Sequence, residues 1–123
     1  VAKDFCQSQG VNLVCILQPN LFTLINNLDY AAGLKRASSR EIKVSVETAY
    51  AVLEAWVPKN NYTVSATHIF DDTSEMVYLD WAHLNARGNE YLARFIFDQL
   101  LIQLYFFETQ LDFQFHINMK QMQ

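Results

Sequence analysis

Residues 1–20 read VAKDFCQSQGVNLVCILQPN, and the fold class rests on how this stretch divides. Val1, Ala2 and Phe5 recur at helical spacing, and Gly10 stands where a helix would stop. From Val11 the chain is apolar almost without a break and rich in β-branched residues until Pro19 closes the run. Such a run fits a strand buried on both faces of a parallel sheet. Helix, glycine and buried strand make half of an α/β repeat, so an α/β domain is expected. A chain that opens without Met on the end of a helix is expected to start inside a larger unit.

Outward from this stretch, residues 20–37 have no clean period and carry Asn26, Asn27, Asp29 and Gly33. They read as a long loop with at most a short helical turn, a length that in compact domains usually goes with a functional role such as a lid. SSREIKVSVETAYAVLEAWVP, residues 38–58, is a helix. Ser38 and Glu41 match a capping box, Pro58 stops the helix, and Ile42, Val46, Ala49, Tyr50, Leu53 and Trp56 form a stripe expected in the core. NYTVSATHIF, residues 61–70, is a second candidate strand. From Asn85 the period is helical again through Tyr91, Leu92, Phe95, Ile96 and Leu100, and this helix is expected to cover the sheet. Gly88 falls in its first turn, where the missing side chain allows close backbone approach. Residues 111–119, LDFQFHINM, alternate apolar and polar as a half-buried strand does, and are expected to pair with a sheet edge or another chain. The organisation expected is therefore an α/β unit over residues 1–103 and an extension over 104–123.

Composition narrows the function. At 123 residues and 51% hydrophobic content the chain has the material for one packed core. A net charge of -4, with nine Lys and Arg residues scattered along it, gives no basic stripe to neutralise phosphates, so nucleic acid is not an expected partner. No apolar run has the length that spans a bilayer, and the first residues lack the regions of a signal peptide. Cys6 and Cys15 lie too close in sequence for a disulfide framework and read as small buried hydrophobes. Asn61-Tyr62-Thr63 matches a glycosylation acceptor and is the one hint of an extracytoplasmic location. His68 has no neighbour in sequence that completes a metal set. Asp71 and Asp72 suit a solvated turn or helix cap, with a cation as the alternative.

The chemistry centres on YLDWAHLNARGN, residues 78–89. Asp80 and His83, three apart in the turn before a helix, can bring the carboxylate onto one ring nitrogen and leave the other free as a general base. The plainer alternative is that Asp80 caps the helix while His83 packs or is solvated. A metal role for the pair would need further ligands that the spacing does not offer.

The wider stretch YLDWAHLNARGNEYLA, preceded by IFDDTSEMV and much earlier by CILQPNLF, resembles the C-terminal half of the SGNH or GDSL hydrolase superfamily. The similarity covers residues 11–101 and is most specific over 80–93. It implies a three-layer, doubly wound parallel sheet, of which this chain would supply half, plus the extension. It also implies that Asp80 orients and His83 serves as base for a nucleophilic serine, with no metal or organic cofactor. The family's Gly-Asp-Ser and G-x-N-D blocks are absent. The glycines are Gly10, Gly33 and Gly88, and none of Ser8, Ser38, Ser39, Ser45, Ser65 or Ser74 lies in a strand-to-helix turn of the needed kind. Two expectations follow. In one, the chain is the base-bearing part of a serine esterase acting on a lipid or carbohydrate ester, its serine supplied by an N-terminal half or another chain that covers the open sheet, and it is inactive alone. In the other, it is a non-catalytic structural or interaction subunit derived from that fold.

Overall fold

The computed structural model describes residues 1–25 and 28–121, with side chains described as far as residue 102 and at 105. Its elements are α1 (Ala2–Ser8), β1 (Cys15–Leu17), α2 (Asp29–Ala37), α3 (Arg40–Trp56), a single 3-10 turn (Val57–Lys59), β2 (Thr63–Ser65) and α4 (Ala86–Gln121). The protein is mixed α/β. Gly10 ends the first helical segment at a φ of 67°, the left-handed conformation that glycine adopts without steric cost.

β1 and β2 form a two-stranded parallel sheet in the register Cys15↔Thr63, Ile16↔Val64, Leu17↔Ser65, joined by a crossover through α2 and α3. Both strands are shorter than the apolar runs that announce them. After Ser65 the expected strand curls away. The Thr67 amide donates to Ser65 Oγ at 3.2 Å, and the amides of Ile69, Asp71 and Thr73 each donate to the carbonyl three residues back. Serine and threonine hydroxyls that capture nearby amides favour such turns over a ladder.

Three more expectations are corrected. The second half of the supposed 20–37 loop is α2, whose last turn carries Lys35 and Arg36 against the helix C-terminus. α3 is capped by Ser39, not Ser38. Ser39 Oγ accepts from the Ile42 amide at 3.2 Å, whereas Ser38 Oγ donates back to the Leu34 carbonyl at 3.1 Å and closes α2. Residues 111–119 lie on α4, not on a strand. No glycine or proline follows Gly88, so a helix once nucleated has nothing in its sequence to stop it, and propagation prevails over local alternation.

The core sits among the loops beside the sheet. Leu21, Leu24, Ala31, Phe70, Val77 and Tyr78 are buried together, with Trp81, Leu84 and Tyr91 packed against them. Phe70 meets Tyr78 and Tyr91 edge-on at 5.5 and 6.1 Å. α4 joins this core at its N-terminal end through Tyr91, and the packing described there is with the loops rather than with the strands. α3 contributes no buried residue, so the stripe expected in the core is not there: Ile42, Leu53 and Trp56 are exposed. Nor is Cys15 the buried hydrophobe expected from its run. It is exposed, Cys6 is half-buried, and both are free thiols.

Candidate catalytic dyad at the start of α4

Residues 77–85 form a closed turn. Tyr78 and Leu84 face each other in an antiparallel bridge, the Leu79 amide donates to the His83 carbonyl at 2.8 Å, and the Asn85 amide donates to the Val77 carbonyl at 2.9 Å. Buried Val77 and Tyr78 anchor one arm, and burial raises the Tyr78 phenol so that it stays neutral. Asn85 anchors the other. Its Oδ1 accepts from the Gly88 amide at 2.9 Å, making it the N-cap of α4, and its Nδ2 donates to the Met76 carbonyl at 2.6 Å. Gly88 is needed where it stands, because a Cβ there would lie 2.5 Å from the Val77 carbonyl oxygen.

Asn85 therefore does the capping, and Asp80 points inside the turn. Its Oδ1 accepts from the amides of Ala82 and His83 at 2.8 Å each, and its Oδ2 lies 2.7 Å from His83 Nδ1. The two backbone amides, joined by the His83 ring, hold the Asp80 carboxyl down at about 2. The carboxylate thus remains ionised and positions the imidazole with a proton on Nδ1. His83 is largely exposed, and its Nε2 has no hydrogen-bond partner among the described residues. The arrangement is an imidazole of fixed tautomer with its basic nitrogen turned outward. Trp81 ties the turn to the loop after β1: its carbonyl accepts from the Leu21 amide at 3.0 Å, and its ring stacks on Phe22 at 6.2 Å.

No described serine, threonine or cysteine bonds to His83 Nε2. Ser8 Oγ donates to the Phe5 carbonyl at 2.7 Å at the end of α1, and Ser38 and Ser39 are occupied with helix ends as described. Ser65 donates to Glu54 at 2.7 Å and shares a bond with Thr67, which also bonds to Glu54, in a separate cluster between α3 and β2. No group of three or more His, Cys, Asp or Glu side chains that could hold a metal ion occurs among the described residues, and no helix there is long and apolar enough to cross a membrane.

The structure also pairs residues that sequence reading left apart. His68 Nδ1 lies 2.7 Å from Asp71 Oδ2, and Asp71 Oδ1 accepts from the Ile25 amide at 3.1 Å. The signal was the spacing, an H-x-x-D that mirrors the D-x-x-H of the main site. Asp72 takes no part in this pair.

A second feature is the sheet edge. In the parallel ladder Cys15 and Leu17 turn their backbone groups toward β2, so those of Ile16 face the opposite edge. Elsewhere, Cys15, Ile16 and Leu17 of β1, Thr63 of β2, Leu53 and Trp56 of α3, and Val57 line an open, largely apolar cavity of about 160 Å³.

Comparison of the chain with models of known families, with curated proteins and with solved structures finds no match.

Proposed function

We propose that this chain is the base-bearing portion of an SGNH/GDSL-type serine esterase or acyl hydrolase. The observation that carries the reading is the Asp80 carboxylate, held by two amides and bonded to His83 Nδ1, which leaves Nε2 free in the exposed turn ahead of α4. In the reaction, His83 Nε2 takes the proton of an attacking serine hydroxyl as that oxygen adds to the ester carbonyl. It then returns the proton to the departing alkoxide, leaving an acyl-serine that water releases by the same route. The serine and the oxyanion donors come from an N-terminal half of the fold or another chain lying along the free edge of β1, which would complete the doubly wound sheet. The resemblance supports a lipid or carbohydrate ester as substrate.

Without that complement the chain is inactive, since it lacks the nucleophile and since loss of even one oxyanion donor costs about 3 to 4 kcal/mol of barrier lowering. The exposed α3 stripe and the cavity beside β1 favour a second reading, a docked subunit that keeps the turn but performs no chemistry. Treating the native co-purified material with a fluorophosphonate serine probe separates the two. The catalytic reading expects label on a serine-bearing polypeptide and its loss with His83→Ala. An intact complex that takes no label on any chain overturns it and leaves the structural role.

A further inference from the structure

The turn that carries Asp80 and His83 is closed by backbone bonds and by Asn85, and just outside them its two arms meet again through side chains. Arg87 Nε donates to Glu75 Oε2 at 2.6 Å and its Nη2 donates to Glu75 Oε1 at 3.1 Å, a two-pronged pair between residues far apart in sequence. Arg87 Nη1 also donates to Glu90 Oε2 at 2.6 Å, and the Tyr91 hydroxyl donates to Glu75 Oε1 at 3.1 Å. The guanidinium lies 4.8 Å from the centre of the Tyr91 ring, and Tyr91 is itself packed against the core. This clamp links the incoming arm of the turn, the first turn of α4 and the core.

Local rules do not put an arginine there. Arg87 stands in the first turn of α4, which carries no acidic residue, and a cation at that end of a helix is opposed by the helix dipole. Its pairing with Glu75 and Glu90 offsets that opposition, and the hydrogen bonds from Arg87 hold both carboxyls below the ordinary glutamate range. Isolated surface ion pairs do little, but a bidentate arginine within a network of several charges is the exception. All three side chains reach solvent, so the clamp adds little to the core and acts on the direction in which the turn leaves α4.

We infer that Arg87 is a positioning residue for His83, clamping the stem of the turn so that the Asp80 carboxylate stays on Nδ1 and Nε2 keeps its outward direction. That role rests on reading His83 as a base, while the geometry it requires is measurable in the full chain alone. With the clamp gone, the turn opens from its stem, Asp80 meets the ring only part of the time, and the neutral imidazole exchanges between its two tautomers.

The test is nitrogen-15 NMR of the neutral His83 ring in the full chain, where the two ring nitrogens report which of them carries the proton. The unsubstituted chain is expected to show the Nδ1–H tautomer alone, and Arg87→Gln a mixture. Glu75→Gln breaks the same pair from the other side and should give that mixture too, a readout that holds even if the arginine variant fails to fold. Arg94→Gln removes a charge bonded to Glu90 at 2.6 Å, further along α4, and should leave the single tautomer. The melting temperature should move by no more than about 3 °C in each variant. A single tautomer in both clamp variants overturns the inference, as does a mixture already present in the unsubstituted chain or appearing equally with Arg94→Gln. A mixture that comes only with a large fall in melting temperature overturns it as well, since Arg87 would then hold the fold and not the ring. In an active complex, Arg87→Gln should slow fluorophosphonate labelling by about 10- to 100-fold. An unchanged labelling rate beside a mixed tautomer would uphold the clamp and sink the reading of His83 as the base.

Discussion

At the scale of single residues, the geometry of the candidate site depends on one carboxylate. Asp80 accepts three hydrogen bonds, so its carboxyl titrates at about 2 rather than at the ordinary value near 4. A depressed folded-state pKa means that the stabilisation from these bonds is fully present above about pH 4 and is lost as pH falls through about 2. Carbon-13 NMR of the Asp80 carboxyl should give a midpoint near 2, and the Ala82 and His83 amides should shift with it. A midpoint near 4 would mean that the turn does not hold the carboxylate in solution. Asp80→Asn separates geometry from chemistry. An amide oxygen can still accept from the backbone and keep the turn, but an amide nitrogen beside His83 Nδ1 selects the wrong tautomer. In a complemented, active complex the rate should drop by about four orders of magnitude while amide shifts around the turn change little. A comparable loss of turn structure would reduce Asp80 to a structural role.

At the scale of elements, the sequence was most readable where one local rule acted alone. The stop at Gly10, the helix ended near Pro58 and the close packing at Gly88 each follow from one residue type. It was least readable where two local rules competed. Ser38 with Glu41 matches the capping box and Ser39 does not, yet the cap fell to Ser39, because α2, hidden in a stretch of loop-like composition, takes the Ser38 hydroxyl for its own last turn. Ser39→Ala should therefore cost about 1 kcal/mol in urea denaturation, and Ser38→Ala distinctly less. Equal losses would mean that the cap is shared. Gly88→Ala sets propensity against packing. Alanine gains about 1 kcal/mol of helix propensity, but its Cβ would sit 2.5 Å from the Val77 carbonyl oxygen, which cannot move without breaking the hydrogen bond it accepts from the Asn85 N–H. The expected net result is a loss of about 1 to 2 kcal/mol. A stabilised variant would show that the start of α4 can slide away from Val77.

At the scale of the whole molecule, periodicity told which residues share a face and could not tell whether anything covers that face. The α3 stripe is real as a pattern, but within this chain nothing described packs deeply on it, because the buried cluster forms among the loops around Phe70 and Tyr78. The dyad was legible for a related reason. Its partners lie within one turn, so sequence spacing and spatial distance coincide, whereas a contact to a distant element would leave no local trace. This division gives a contrast that stability measurements can read. Phe70→Ala removes a fully buried ring and should cost about 3 to 5 kcal/mol in the isolated chain. Ile42→Gln and Leu53→Gln alter exposed positions on a helix that tolerates glutamine, and should change stability by no more than about 0.5 kcal/mol. If the α3 and β1 face receives the rest of a sheet or another chain, the same two substitutions should strip co-purifying polypeptides from the protein while leaving its own melting temperature in place. Should they instead unfold the isolated chain, the stripe is part of its own core and a docking role for that face is ruled out.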